Sequence, residues 1–348
     1  MNDPARRASL LSIGFALAGM ILALDLIAFA FGQAPLATLG RAVAGAWGSP
    51  YAIGQVLFKA TPLLFTGLAF EVALRVGLFN IGAEGQLAMA SLAVGIVGAR
   101  LPAATPWPVA LAVVLATAAL AGAAWAAIPA LLKARRGVHE IIGGIMHNRI
   151  ADVLLPWVLG TVLASTTLRT ADMTAGATLP RLDRFVGALS GSAASVAFLL
   201  GVVALFATDA WLDKSRVGRE MRWIGLNAGA CRAEGIAVPR RLVQAMLLSG
   251  ALAALASTGT VLGYKGYHEL GLGAGAGFSG IAVAMLGRGR PIGMLLAALL
   301  IGTLEQAGFA INARVPKEAM EVLEAVAVLL VAVGARHRAL ARREEAAV

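Results

Sequence analysis

The stretch GLFNIGAEGQLAMA, residues 77–90, places Asn80, Glu84 and Gln86 among the glycines Gly77, Gly82 and Gly85, between two apolar runs. One carboxylate and two carboxamides at this spacing supply both hydrogen-bond donors and acceptors. Such groups replace part of the hydration of a neutral polar solute, and aromatic rings such as Phe79 or Phe278 stack on a flat one. Two readings stand. The polar side chains line a solute path, since an ionisable residue inside lipid is a functional sign by default. Alternatively, Asn80 and Glu84 cap the helix that follows and satisfy its free amides.

The elements that must hold these residues are membrane helices. With 348 residues, 59% hydrophobic and 14% charged, and a mean hydropathy of +0.80, the chain has more apolar surface than a soluble domain of its length can bury. A polar, glycine-rich break is tolerated within lipid only where it faces protein or water, because an unpaired backbone group in hydrocarbon costs several kcal/mol. Apolar runs and loop charges predict an all-α, polytopic transmembrane helical bundle of about ten spans: 10–31, 61–76, 84–99, 107–132, 138–160, 192–212, 240–262, 277–287, 291–311 and 318–334. The eighth, 277–287, is short enough to be a half-helix. The run 10–31 is too long for a signal peptide and lacks a cleavage site, so it reads as a retained first span.

The net charge of +10 is spread in short clusters between apolar runs, the pattern of the positive-inside rule and not of a nucleic-acid surface. With both termini cytoplasmic, Lys and Arg favour the inner side by about two to one. Residues 32–60, with Arg41, Trp47, Tyr51 and Lys59, have the composition of a helix along the outer interface. Residues 161–191 form the main external excursion, and residues 213–241 a long basic cytoplasmic segment in which Met221, Ile224 and Leu226 form an apolar stripe. Without a linker or low-complexity tract, residues 1–348 read as a single membrane domain. The one cysteine, Cys231, excludes an internal disulfide and suits a packing position. Glu71 and Glu305 fall within spans and are expected to be paired inside the bundle. Gly250 and Ala254 are spaced for close helix packing.

The basic segment carries Gly225-x-Asn227-x-x-Ala230-Cys231-x-x-x-Gly235-Ile236. This resembles the cytoplasmic coupling loop of bacterial ABC importer permeases of the ribose and branched-chain amino-acid type, with Cys231 at the place of a second alanine. In that family the loop inserts a short helix into a cleft of the ATP-binding subunit. GLFNIGAEGQ, 77–86, resembles the signature of the branch that imports nucleosides alongside a lipoprotein receptor. VHEIIGGIMHNRIA, 138–151, and GFSGIAVAMLGRGRPIG, 277–293, are similar to two further family motifs. The four matches run in order from about 60 to 311. The third departs from the family pattern at His139, Gly143, Gly144, His147 and Arg149, which bears on the substrate.

The resemblance implies an inner-membrane permease subunit that moves nucleosides inward, or a monosaccharide or another small polar solute. It implies an ATPase with two nucleotide-binding halves carrying ATP and Mg, a second related permease in a heterodimer, and an external substrate-binding lipoprotein. Asn80, Glu84, Gln86, Phe79 and Phe278 are then candidates for the substrate pathway. Gly225, Asn227, Ala230, Cys231, Gly235 and Ile236 are candidates for the ATPase contact. No catalytic residue, bound cofactor, metal site or nucleic-acid partner is expected of this chain. A proton-coupled carrier using Glu71, Glu84 or Glu305 is the alternative from another class. Residues 139–142 begin like H-E-x-x-H, but Gly143 stands where the second histidine belongs, and no G-x-x-x-x-G-K-[ST] loop is present, so ATP hydrolysis falls to another chain.

Overall fold

The computed structural model describes residues 18–316 and, beyond them, 318, 319, 321–323, 325, 326, 329 and 330. Residues 318, 319, 321–323, 325, 326, 329 and 330 are helical, and eleven helices lie within 18–316. They are α1 (Ala18–Ala30), α2 (Pro35–Trp47), α3 (Pro50–Leu74), α4 (Ala83–Arg100), α5 (Trp107–Arg136), α6 (Glu140–Trp157), α7 (Ala197–Lys214), α8 (Arg216–Ala233), α9 (Val238–Ala254), α10 (Ala276–Gly287) and α11 (Pro291–Ile311). Two π-helical pieces, Val158–Val162 and Thr258–Lys265, prolong α6 and α9. Two isolated antiparallel bridges, Arg169 with Glu269 and Arg181 with Ser195, are the only extended pairings among the described residues.

Among the described residues, four helices are long and apolar enough to cross a membrane: α3, α5, α9 with its π extension, and α11. The pair α1–α2 makes a fifth if its 115° bend is one broken span. The helices α4, α6 and α7 fall where spans are expected, each with 18 residues. The expected first span begins, and the expected last span ends, outside the described residues.

The expectation of one interfacial helix over 32–60 is corrected. After Gly48 and Ser49, Pro50 opens a new helix that continues to Leu74, because proline at a first helical position gives up no needed N–H. Residues 50–60 therefore belong to a spanning helix, and α2 alone remains before it.

The chain divides into two compact units, residues 1–59 with 299–348, and residues 60–298. In the first, Leu24, Ala42, Ala46, Val56, Ala307 and Ile311 share one core. Lys59 lies 3.9 Å from a Glu305 carboxylate oxygen and over the Phe309 ring, which pairs Glu305 inside its unit as expected.

In the second unit, α5 buries a single stripe, Ala110, Val114, Ala118, Gly122, Ala126 and Ala130, and leaves Leu120 and Ile128 outward. The i, i+4 spacing of small residues lets its backbone come close to α9. A β-carbon on Gly122 would lie 2.3 Å from the Gly250 carbonyl oxygen and 2.4 Å from Cβ of Ala254. The small-residue spacing read from the sequence is thus a helix-packing surface.

The helix α10 has 12 residues, about 18 Å of the roughly 30 Å hydrocarbon thickness. Left-handed residues stop it at both ends, Gly275 before and Arg288 and Gly289 after. The half-helix expected at 277–287 is therefore present.

Residues 161–191 have no long helix. They are laid against the segment after α9 by backbone bonds from Thr170 N–H to the His268 carbonyl (2.8 Å), Met173 N–H to Gly266 (2.8 Å) and Leu179 N–H to Leu262 (2.9 Å).

Candidate functional site

Residues 75–82 join α3 to α4 without helix. Here Asn80 and Gln86 bind each other reciprocally: Asn80 Nδ2 donates to Gln86 Oε1 at 2.8 Å, and Gln86 Nε2 donates to Asn80 Oδ1 at 3.0 Å. Asn80 Nδ2 also donates to Ser249 Oγ at 2.7 Å, and that hydroxyl donates to the Ala69 carbonyl at 2.6 Å. All four polar side-chain and backbone groups are enclosed, with Asn80, Gln86 and Ser249 at 0% exposure. In this conformation the two carboxamides tie the break to α3 and α9, and neither presents surface to a solute.

The amides at the start of α4 are satisfied from another helix. Asn148 of α6 accepts from Gly85 N–H at 3.0 Å and donates to the Ile81 carbonyl at 2.9 Å. Its approach requires small neighbours: a β-carbon on Gly144 would stand 2.8 Å from the Gly82 nitrogen, and one on Gly85 2.9 Å from Asn148 Oδ1. Hence Gly82 and Gly85 of the opening stretch serve the contact with α6, whereas Gly77 turns the chain at φ +75°. Residue Gly82 at the N-cap offers no side chain, so capping of α4 by Asn80 or Glu84 is replaced by capping from Asn148.

The carboxylate of Glu84 does cap a helix, but a distant one. Its Oε1 accepts from Gly275 N–H at 2.7 Å and its Oε2 from Gly277 N–H at 2.8 Å. These are free amides at the positive end of α10, where a carboxylate is favoured by charge and by hydrogen bonding. Gly277 fits because a β-carbon there would meet the Glu84 backbone nitrogen at 2.4 Å. Thr66 of α3 holds the same end of α10 by donating to the Ala276 carbonyl at 2.8 Å.

Beside this clasp lies a cavity of about 170 Å³, lined by Glu84, Asp152 and His268 together with Leu87, Leu155 and Leu272 among others. The structure therefore gathers Glu84 of the predicted pathway set with two residues from elsewhere. Phe278 follows Gly277 and is half exposed, while Phe79 stacks edge-on against Phe70 with ring centroids 5.4 Å apart. Neither aromatic ring lines the cavity. His268 escaped notice in the sequence. The signal available was a histidine next to a run of glycines, but only the fold shows that the turn returns to α4.

The segment expected to couple to an ATPase is α8, broken at Asn227, whose backbone is extended (φ −158°, ψ 94°). Asn227 Oδ1 accepts from Ala230 N–H at 3.0 Å, the N-cap geometry for the short second piece. That piece ends in a Schellman turn: Gly235, at φ +78°, donates to Arg232, and Ile236 donates to Cys231 at 2.9 Å. Ala230 and Gly235 are exposed, Ile236 is half-buried and Cys231 is buried. The predicted apolar stripe is corrected at one position: Met221 and Ile224 are buried, whereas Leu226 is 80% exposed. Leu226 lies two residues beyond Ile224, about 200° around a helix, and so points the other way.

Ion pairs set α8 against the bundle. Glu220 receives Arg216 Nε at 2.8 Å and Arg241 Nε at 2.7 Å, and these bonds hold its carboxyl below the usual carboxylate range. Arg222 pairs with Asp213. Arg75, at the end of α3, binds Glu71 at 2.8 Å and reaches Asp209 at 3.6 Å and Asp213 at 3.9 Å. Glu71 is therefore paired within the bundle, as its sequence context suggested. Among the described residues, no group of three His, Cys, Asp or Glu side chains is placed to hold a metal ion.

Apolar helices, a half-helix and a polar break sealed by side chains define a multi-pass membrane protein. A family model described as "Branched-chain amino acid transport system / permease component" matches residues 52–333, and the chain belongs to this permease family. It is 36% identical over 293 residues to the guanosine ABC transporter permease protein NupP of Bacillus subtilis, covering 83% of each. It is 32% identical over 346 residues to the nucleoside ABC transporter permease protein NupB of Lactococcus lactis, covering 96% of this chain and 93% of that one. It is 33% identical over 295 residues to the glucose ABC transporter permease protein TsgB13 of Haloferax volcanii, covering 81% and 76%. No solved structure gives a significant match. The chain is thus a transport subunit of the ABC class, and the proton-coupled alternative is set aside.

Proposed function

We propose that this chain moves nucleosides inward across a bacterial inner membrane as one permease of an ATP-driven importer. The nucleoside assignment is supported by the relatives named for guanosine and nucleoside transport, which align over most of the chain. ATP and Mg belong to a separate ATPase with two nucleotide-binding halves. A second, related permease completes a heterodimer, and an external lipoprotein delivers the solute. Residues 1–348 act as one permease domain of about ten spans with both termini cytoplasmic, an arrangement supported by the two-to-one distribution of Lys and Arg.

The observation that carries the reading is the seat of α8. Gly225 rests on the backbone of Arg75 and Gly77, the turn that leads directly into the Asn80–Gln86 break. A push on the coupling segment is thereby a push on the start of α4, where Glu84 clasps α10. Gly225, Asn227, Ala230, Cys231, Gly235 and Ile236 form the ATPase contact. Glu84 and Phe278 border the route, with Phe79 at the break. Asn80 and Gln86 stand in the second rank as the groups that hold the break closed. ATP binding to the partner supplies differential contacts between two states of the bundle, and no catalytic side chain is needed here.

A second reading, import of a monosaccharide, is favoured by the glucose permease relative. Reconstitution separates the possibilities. Proteoliposomes containing both permeases, the ATPase and the receptor are expected to accumulate guanosine only with ATP and all partners present. Accumulation of glucose in place of guanosine selects the second reading, and uptake by the chain alone under a pH gradient refutes both.

A further inference from the structure

The import reading leaves a buried polar ring without a role. His268 sits in the turn 266–275 with 2% of its surface exposed, and among the described residues neither ring nitrogen has a hydrogen-bond partner. Burial pulls the imidazole down to about 4, against the opposing influence of the Glu269 carboxylate. At neutral pH the ring is therefore uncharged, with one nitrogen to donate and one to accept. An enclosed polar group left unpaired costs roughly 1–3 kcal/mol, so a native example calls for an explanation.

The position of the ring is fixed by its backbone. His268 N–H donates to Thr170 Oγ1 at 3.0 Å, and Thr170 N–H donates to the His268 carbonyl at 2.8 Å. The pair seats on α4 where a glycine leaves room, since a β-carbon on Gly95 would meet Thr170 Oγ1 at 2.7 Å and His268 Cβ at 3.0 Å. From there His268 borders the 170 Å³ cavity, whose apolar walls are Leu87, Leu155, Leu270 and Leu272 and whose carboxylates are Glu84 and Asp152.

The size and lining select the ligand. Whole drug-sized ligands occupy roughly 300–1,000 Å³, so this space takes one moiety of a larger solute. Four leucines suit the faces of a flat ring. A sugar, hydroxylated all round, would lose hydrogen bonds against them.

We infer that the cavity is a subsite for the base of a nucleoside in transit, and that His268 hydrogen-bonds the edge of that base. This inference rests on the nucleoside reading above and adds the residue that recognises the solute. A neutral imidazole presents a donor on one nitrogen and an acceptor on the other, pointing apart, so one of them can bond a group on the edge of the base, and a hydrocarbon ring of equal size would leave it as unpaired as before.

The test uses Ala88→Cys, a cavity-lining position, in the full chain assembled with its partners in membrane vesicles, and the same assembly without the substitution, in which this chain carries the buried Cys231 alone, is the labelling blank. The rate of labelling by a small methanethiosulfonate is measured against increasing guanosine, with glucose as the comparison. Guanosine is expected to slow labelling and glucose to leave it unchanged. His268→Leu should raise the half-protecting guanosine concentration about tenfold, the equivalent of one hydrogen bond. His268→Gln, which keeps a donor and an acceptor, should restore most of the protection. Absence of protection by guanosine, equal protection in the Leu variant, or protection by glucose as strong as by guanosine each overturns the subsite. Guanosine uptake is followed in the same vesicles: uptake that persists without protection faults the subsite alone, and protection without any uptake faults the import reading while upholding the subsite.

Discussion

Gly225 of α8 and the carbonyl of Arg75 at the end of α3 are in backbone contact: a β-carbon at 225 would fall 2.4 Å from that oxygen. No side chain is small enough to enter this gap, so the amphipathic segment and the turn before the polar break are set against each other directly. The Arg75 side chain reinforces the same junction through Glu71, Asp209 and Asp213. Force reaching α8 has a short path of packed groups to the start of α4.

Gly225→Val is expected to separate α8 from Arg75 and to uncouple the transporter. ATP hydrolysis by the assembled complex should lose its stimulation by loaded receptor, with at least about a tenfold fall in guanosine uptake, since overpacking of this kind forces backbone shifts. Assembly, followed by co-purification of the ATPase, checks that the complex survives. Wild-type stimulation in this variant would break the proposed path.

At the cap of the short second piece of α8, Asn227→Asp retains the oxygen that accepts from Ala230 N–H, and Asn227→Arg removes it. The loss of an N-cap costs about 1 kcal/mol and adds a charge on the exposed face. Receptor-stimulated ATPase activity should be close to wild type for the first variant and abolished for the second. Equal activity in both would detach Asn227 from the ATPase contact.

The Asn80–Gln86 pair is a case for a double-mutant cycle. Asn80→Leu or Gln86→Leu alone strands the other buried carboxamide, at roughly 1–3 kcal/mol each. The two together remove both polar groups and should cost less than the sum of the singles. Thermal unfolding in detergent measures this. Strict additivity would mean that the amides do not act as a pair.

Glu84→Ala removes the carboxylate from two amides at the positive end of α10. Charge-assisted bonds of this kind contribute about 1.5–3 kcal/mol each, so the variant should unfold earlier and become susceptible to proteolysis within 266–290. Glu84→Gln, keeping one acceptor, should lie between it and wild type. Unaltered protease resistance in the alanine variant would remove the clasp.

For His268 the pH dependence has a definite sign. The imidazole titrates near 6.5 when unfolded and near 4 in place. Because the folded state disfavours the proton, the contribution is complete above pH 6.5 and declines as pH falls toward 4, by roughly 3 kcal/mol at pH 4. The Glu269 carboxylate acts in the opposite sense on the ring, and the carboxylates Glu84 and Asp152 border the same cavity, so the comparison is made against His268→Gln. Melting temperature between pH 7.5 and 4.5 should fall more steeply in wild type than in that variant, and parallel curves would refute it.

Much of the helical plan was legible in the chain itself. Runs of apolar residues mark α5, α9 and α11 to within a few residues because a helix in lipid must be apolar along its whole length. The short α10 was visible for the same reason, bracketed by glycines and by Gly289-Arg290-Pro291. The break at Asn227 was not announced, since nothing in residues 216–233 distinguishes a bent helix from a straight one until Asn227 is seen to accept from Ala230. The extent of α3 was missed because Lys59 and Gln55 lower the local hydropathy, and the ion pair that shields Lys59 comes from Glu305, far along the chain.

By itself the sequence determined the class of the molecule, the places of its apolar helices and the polar break at Asn80–Gln86, because each is written in local composition or spacing. Tertiary structure alone decided the partners. Asn80 meets Ser249 across 169 positions and Glu84 meets Gly275 across 191, and a carboxylate looks the same in a sequence whether it lines a path or caps a helix. Which of these it does depends on which backbone amides the packing of α4 against α10 brings within 3 Å, and that distance is set by the fold.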